Sequence, residues 1–448
     1  MSPKLPTRQN VQSVLNHLNS SEGVIYLKGQ VMTERDDTDV EQAFRQESNF
    51  FYVTGVAEPG FHVIIDIASQ HIQLIAPVVN ADDVMWMGMP DSISALIEKY
   101  DVDTVIYEDQ LDQRLQSSSV VYTLPTTKVT GNYNLANLEQ VAALKVAFGE
   151  ARAVKKDWEI EIIRQANKIS SDAHVKLMES VEVGSNEAQL HALFLYESAR
   201  RGAFFQAYYP IMGVGMNAAT LHYNKNNAPL TNPSDLVLVD AGAELDCYAS
   251  DITRVFPVGG KFTPEAAAIY NLVLDMQKAC LAACKAGSAW EYIHQIAVEV
   301  ACQGLLDLGI LQGEKQEVLD SDVVAAFYPH GIGHMLGLDV HDVAGYPTGV
   351  ERIDRPGYRY LRMRRNLAPG NVVTVEPGVY FCDFLIAPVL EDEKTSKYVN
   401  QEALNKYKST GGVRIEDNIV ITEDGYINLT TAPKEIEEIE ALMTASKA

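Results

Sequence analysis

Four short islands in the second half of the chain concentrate side chains that can hold divalent metals. They are Asp240 and Asp251 in LVDAGAELDCYASDITR, His334 in PHGIGHMLGLDVHD, Glu376 in VVTVEPG, and Glu416 in GGVRIEDN. Four carboxylates and one imidazole are enough to bind two divalent ions side by side. Two ions that share a water make hydroxide near neutral pH and clamp both oxygens of a hydrolytic transition state.

Each island also has a plainer reading. Asp240 follows the apolar run LVLV, and an acid at the end of a buried strand is costly unless paired or metal-bound. A hairpin would bring Asp251 beside it; the competing reading makes both acids turn or capping residues near Gly242 and Ser250. HGIGH places two histidines four apart, as in the helical zinc motif. It lacks a Glu after the first His, and Gly331 and Gly333 weaken a helix, so a strand or loop is expected. Any one of His330, His334 and His341 could be a core or pH-sensing residue. Three of them within twelve residues, beside Asp339 and Asp342, favour a site. Glu376 interrupts an apolar strand, where an ionised Glu needs a partner. Arg414, Glu416 and Asn418 share one face of a strand. An Arg414–Glu416 ion pair would account for those two, but not for Asp240, Asp251 and Glu376. Finally, RIDRPGYRYLRMRR (352–365) holds six arginines. Most read as a solvated basic loop, and one turned inward could grip a substrate carboxylate through a bidentate fork.

Two kinds of segment must position these groups. Residues 1–150 alternate strand and helix patterns, with strands expected at 23–29, 49–56, 61–69, 71–79 and 103–107 and a helix at 92–100. They read as a small α/β domain without ligand-type clusters. The register changes near 145–157. Residues 151–448 then carry long helical patterns at 158–181, 186–200, 264–287 and 289–308, and a short acidic helix in PKEIEEIEALM. Between them lie the β-rich segments LVLVDAGAE, ITRVFPVGG, NVVTVEPGVYF and GGVRIEDNIVIT, so the whole reads as α+β.

The chain has 448 residues, 47% of them hydrophobic, enough for a large core and two or three domains. The net charge of −24 is spread along the chain, which repels nucleic acid and anionic membranes. The five cysteines form no C-x-x-C and no framework. Cys280 and Cys284 read as a buried helix face, and a reducing compartment fits. MSPKLPTRQNVQ lacks the apolar stretch of a secretory signal, and no apolar run reaches membrane-spanning length. The cytosol is the expected location. The sequon at Asn428 is idle without secretion, and Ser446-Lys447-Ala448 departs from the peroxisomal Ser-Lys-Leu signal at its last position.

The order Asp…Asp…His…Glu…Glu in these contexts resembles the pita-bread metallopeptidases, which include methionine aminopeptidase, aminopeptidase P and prolidase. HGIGHMLGLDVHDVAGYP, VERIDRPG and the arginine-rich stretch look most like eukaryotic-type prolidases. The resemblance spans nearly the whole chain, FRQESNFFYVTGVAEPG included. It implies a C-terminal pita-bread (creatinase/aminopeptidase) fold over 151–448 and a smaller creatinase-like, aminopeptidase P N-terminal domain over 1–150. By the resemblance, Asp240 chelates one ion and Asp251 bridges both. His334 and Glu376 bind the second, and Glu416 bridges. A bridging hydroxide attacks the scissile carbonyl, with Glu376 shuttling the proton. His222 and His341 line the pocket and stabilise the tetrahedral intermediate, and Tyr208 lines the same pocket. Arg362 holds a C-terminal carboxylate, and Arg414 lies near the ligands. Ala344 stands where the family usually has glycine.

The mostly oxygen donor set suits manganese better than copper, with zinc, cobalt and iron also compatible. A homodimer is implied by the resemblance alone. The expected activity is hydrolysis of the bond before proline in Xaa-Pro dipeptides. The alternative is Xaa-Pro aminopeptidase action on longer peptides. A non-catalytic pita-bread binding protein and metal-free creatinase-type hydrolysis are disfavoured, because all five ligands are present.

Overall fold

The computed structural model describes residues 4–445, so the Ser446-Lys447-Ala448 ending lies outside the described residues. The chain divides into two compact units, one up to Arg152 and the other from Ala153 onward. Among the described residues, no helix is long and apolar enough to cross a membrane.

The first unit is built on a five-stranded mixed sheet in the order Thr104–Tyr107, Ile72–Ala76, His62–Asp66, Val24–Lys28, Val121–Tyr122. The expected hairpin forms, with His62 opposite Ile75. The expected strand at 49–56 does not. Ser48–Thr54 is a helix, capped by the Glu47 side chain on the Phe50 N–H and closed by Gly55 at φ 67°. Phe50, Phe51, Tyr52, Val53 and Thr54 are all buried, so no polar stripe reveals the helical period. The helix Leu138–Ala153 runs into the expected register change, and Asp157–Ser180 begins four residues later.

The second unit packs helices against several short antiparallel sheets. Asp157–Ser180, Glu187–Ala199, Pro264–Ala283 and Trp290–Asp307 occupy the expected helical stretches. The start of Pro264–Ala283 follows from Thr263 capping the Ala266 N–H and proline at the first helical position. One sheet orders Thr253–Pro257, Leu236–Asp240 and Ile211–Val214; another orders Val372–Val375, Asp417–Ile421 and Tyr426–Asn428. Gly378–Tyr380 pairs with Gly412–Arg414. Single bridges Thr253↔Glu416 and Met335↔Val373 stitch the sheets and the histidine loop together.

Beneath this seam lies a buried polar knot. Asp417, at the start of its strand, accepts from Arg254 Nη2 at 2.7 Å and Asn428 Nδ2 at 2.7 Å, and pairs with Lys434. Burial alone would raise the Asp417 carboxyl, but Arg254 and Lys434 outweigh it and hold the group below its ordinary range. Its stabilising contribution is therefore full above the unfolded value and is lost as pH falls through the lower folded value. Asp417→Ala strands two cations and should cost about 3–5 kcal/mol in urea unfolding at pH 7. The same comparison near pH 3 should show a smaller difference.

Candidate metal centre

The strand Leu236–Asp240 runs antiparallel to Thr253–Pro257, with Asp240 opposite Thr253. The intervening chain makes a tight excursion that returns Asp251 beside Asp240, as the hairpin reading required. Gly242 makes this closure possible, since a Cβ there would stand 1.8 Å from the Ser250 carbonyl oxygen. Asn418 locks the neck: its Oδ1 accepts from the Asp251 N–H at 2.8 Å, and its amide donates back to the Asp251 carbonyl. Tyr208 reaches the carboxylates directly, its hydroxyl 2.5 Å from Asp240 Oδ1 and 2.6 Å from Asp251 Oδ1. It is not among the residues that line the adjoining cavity.

His334 lies in an extended loop, not a helix, as its flanking glycines implied. Gly333 sits so close to the neighbouring strand that a Cβ would be 2.2 Å from the Thr374 carbonyl oxygen. The His334 Nδ1 is bonded to the Met335 carbonyl at 2.9 Å, a contact that requires the proton on Nδ1. Nε2 is thereby turned toward Asp251 Oδ2 and Glu376 Oε1, each at 3.4 Å, and in the neutral ring it offers its lone pair there. Ligand atoms of Asp251, His334 and Glu416 all lie within 4.8 Å of one another.

Arg414 does not pair with Glu416. Its Nη2 binds Asp240, its Nη1 donates to the Tyr380 hydroxyl at 3.0 Å, and its Nε donates to Thr253 Oγ1 at 3.0 Å. Thr253 in turn donates to Glu416 Oε2 at 2.7 Å. Arg414 and Glu416 thus meet through one hydroxyl. Thr253 and Tyr380 were not singled out from sequence, and Asn418 was placed only on the strand face it shares with Arg414 and Glu416. Alternation carried a signal for the two that were missed, because Thr253 follows Asp251 by two, and Tyr380 follows Glu376 by four.

The electrostatics decide what such a cluster is for. Four carboxylates face one permanent cation, Arg414, which leaves three negative charges uncompensated when His334 is neutral. Burial lifts the Glu416 carboxyl well above its ordinary range, reinforced by Asp251, Glu376 and Asp240. Burial likewise pushes Glu376 up to about 7, with His334 pulling the other way. Burial raises Asp240 despite Arg414. Only Asp251 is held low: without metal, a protonated His334 donates to it and, together with the Tyr208 hydroxyl, overcomes its burial. Two divalent ions with one hydroxide would balance the cluster, and the free Nε2 of His334 fits the same purpose.

A cavity of about 370 Å³ opens onto the cluster. Asp240, Asp251, His334, Glu376, Arg414 and Glu416 form its floor, while His222, His341 and Arg362 stand on its walls. Of the six arginines in 352–365, five are tied down. Arg355 pairs with Asp322, Arg359 with Asp354 and Arg364 with Glu291, while Arg352 and Arg365 donate to the Leu361 and Ala344 carbonyls. Among the described residues Arg362 alone of the six has no hydrogen bond or ion pair. Ala344 adopts φ 64°, the left-handed conformation that suits the family's glycine.

Residues 161–423 match the description Metallopeptidase family M24, and residues 7–122 match Aminopeptidase P, N-terminal domain. The chain belongs to metallopeptidase family M24. This M24 chain is 43% identical over 450 residues to a probable Xaa-Pro aminopeptidase of Botryotinia fuckeliana, covering 99% of this chain and 98% of that one. Its structure is similar to aminopeptidase PepP of Pseudomonas aeruginosa, with TM-score 0.82, 31% identity and 99% of each chain covered. It is also similar to aminopeptidase P from E. coli with the inhibitor Pro-Leu, with TM-score 0.81, 30% identity, and 99% of this chain and 100% of that one covered. The pita-bread α+β architecture, the metallopeptidase class and its need for divalent ions follow from membership.

The expectation of a prolidase is corrected here. Relatives that match over 98–99% of this chain are described as probable Xaa-Pro aminopeptidases, and residues 7–122 match the aminopeptidase P N-terminal domain. The physical reason for the misreading is that one arginine on the cavity does not choose the substrate length: Arg362 lines the cavity, and its guanidinium can meet a carbonyl of a longer peptide as well as the carboxylate of a dipeptide.

If the buried charge exists for metal, Glu416→Gln should leave the chelated protein at least as stable as the parent. It should also remove most of the rise in Tm that divalent ion gives the parent, about 2.7 kcal/mol at a hundred times Kd. Thermal scans with chelator and with added ion measure both.

Proposed function

We propose that this protein is an Xaa-Pro aminopeptidase, releasing the N-terminal residue from peptides whose second residue is proline. The observation that carries this reading is likeness over 99% of the chain to a probable Xaa-Pro aminopeptidase, with the five ligand-type residues gathered at one cavity. An E. coli relative of similar structure is described with the inhibitor Pro-Leu, the fragment that would remain when Xaa-Pro-Leu is cut before proline.

In this proposal Asp240, Asp251, His334, Glu376 and Glu416 hold two divalent ions, manganese by the preference of an oxygen-rich donor set. When bound, the ions supply positive charge that polarises the scissile carbonyl and acidifies water. The protein's own groups do the rest. Glu376 can take a proton from water and return it to the leaving proline nitrogen. His222 and His341, on the cavity walls, donate toward the oxygen on which charge develops. Arg414 and Tyr208 fix the directions of Asp240 and Asp251. Arg362, which has no hydrogen bond or ion pair among the described residues, meets carbonyls or the carboxylate beyond proline. The substrate is a small proline-containing peptide. A cytosolic homodimer completes the proposal, and sedimentation would check the dimer.

Hydrolysis of Ala-Pro-Ala beside Ala-Pro tests the reading. Rapid, chelator-sensitive release of alanine from the tripeptide is expected, and no release by metal-loaded protein would refute it. Asp251→Asn should lower tripeptide kcat by roughly a thousandfold, the scale of several kcal/mol of lost charge stabilisation. Arg362→Ala should raise KM for Ala-Pro-Ala about tenfold while leaving kcat near that of the parent.

A further inference from the structure

We propose that the buried Lys155–Asp342 ion pair is a positioning device for the His341 imidazole. The inference rests on the role given to His341 above. Lys155 Nζ lies 3.0 Å from Asp342 Oδ2, with the two side chains 1% and 0% exposed. An ion pair taken wholly out of water costs much to assemble, and hydrophobic residues of similar size would serve stability as well. What the charges add is direction.

The geometry shows what is directed. His341 immediately precedes Asp342 and stands on the cavity wall, its ring edge-on to His334 with 4.5 Å between centroids. Among the described residues the His341 ring makes no hydrogen bond, so its direction comes from the backbone that carries it. That backbone is anchored at Asp342. The Asp342 N–H donates to the Met335 carbonyl at 2.9 Å, and its carboxylate is held by Lys155. The turn closes directly on the pair, because a Cβ on Gly337 would stand 2.2 Å from Asp342 Oδ2 and 2.9 Å from Lys155 Cε. Lys155 is fixed from the other side, its N–H donating to the Gly370 carbonyl at 2.9 Å. Gly370 lies just before the strand Val372–Val375, which leads into Glu376. One ammonium therefore ties the histidine wall to the strand that presents a metal ligand.

The test is a mutant cycle with Lys155→Met, Asp342→Asn and the Lys155→Met/Asp342→Asn pair, each with and without His341→Ala. It reads kcat and KM on Ala-Pro-Ala, bound metal and thermal unfolding. The paired variant removes both charges of the ion pair together, and its thermal unfolding and metal content separate positioning from folding. It should fold with the parent's metal content and nearly the parent's KM, and lose about tenfold or more in kcat. His341→Ala should add less than about twofold to that loss, because the imidazole is already misplaced. The inference is overturned if the paired variant keeps the parent's kcat, or if His341→Ala multiplies in full. Loss of metal, or failure of the paired variant to fold, also overturns it, since the pair would then serve the ligands or the fold. A parent inactive on Ala-Pro-Ala would instead sink the functional reading itself.

Discussion

Too much negative charge in too little water is the condition on which the rest of this structure depends. Four carboxylates converge on a buried floor with one permanent cation among them. A folded protein relieves that by protonating the carboxylates or by binding cations, and the His334 nitrogen turned in among them favours cations. The strand ends, the glycine contacts and the hydrogen-bonded braces can all be understood as means of bringing like charges together and holding them there.

The bracing is economical. Thr253 serves both Arg414 and Glu416, Asn418 grips both ends of the Asp251 peptide, and Tyr208 touches two carboxylates with one hydroxyl. Thr253 and Asn418 come from strands that adjoin the ligands Asp251 and Glu416, and Tyr208 lies in the bend before Ile211–Val214, the strand paired with that of Asp240. The buried Arg254–Asp417 pair beneath them fixes the strands themselves. Preorganisation of this kind lets bound charge act on a substrate without rearrangement of the protein.

Much of this could be read in the sequence, for a physical reason. Acids in apolar strands are expensive, so Asp240, Asp251, Glu376 and Glu416 stood out against their neighbours, and the glycines around His334 pointed away from a helix. The long amphipathic helices showed in their caps and periodicity. The helix Ser48–Thr54 did not, because a helix buried on all sides has no polar face. The partner of Arg414 was equally invisible: two residues apart on a strand suggests Glu416, while the fold supplies Asp240 from 174 residues away. The arginine-rich segment differs from its reading in one respect: the arginines expected to be solvated are instead tied to protein partners, and Arg362 is the one that lines the cavity.

The central claim is that the carboxylate cluster is built for two divalent ions. The most direct measurement is metal stoichiometry: exhaustively chelated protein titrated with manganese at neutral pH by calorimetry, with bound metal counted by mass spectrometry after gel filtration. Two ions per chain, lost together in Asp240→Asn/Glu416→Gln, is the expected result. A parent that binds no ion tightly, or binds it equally well without those carboxylates, would contradict the account.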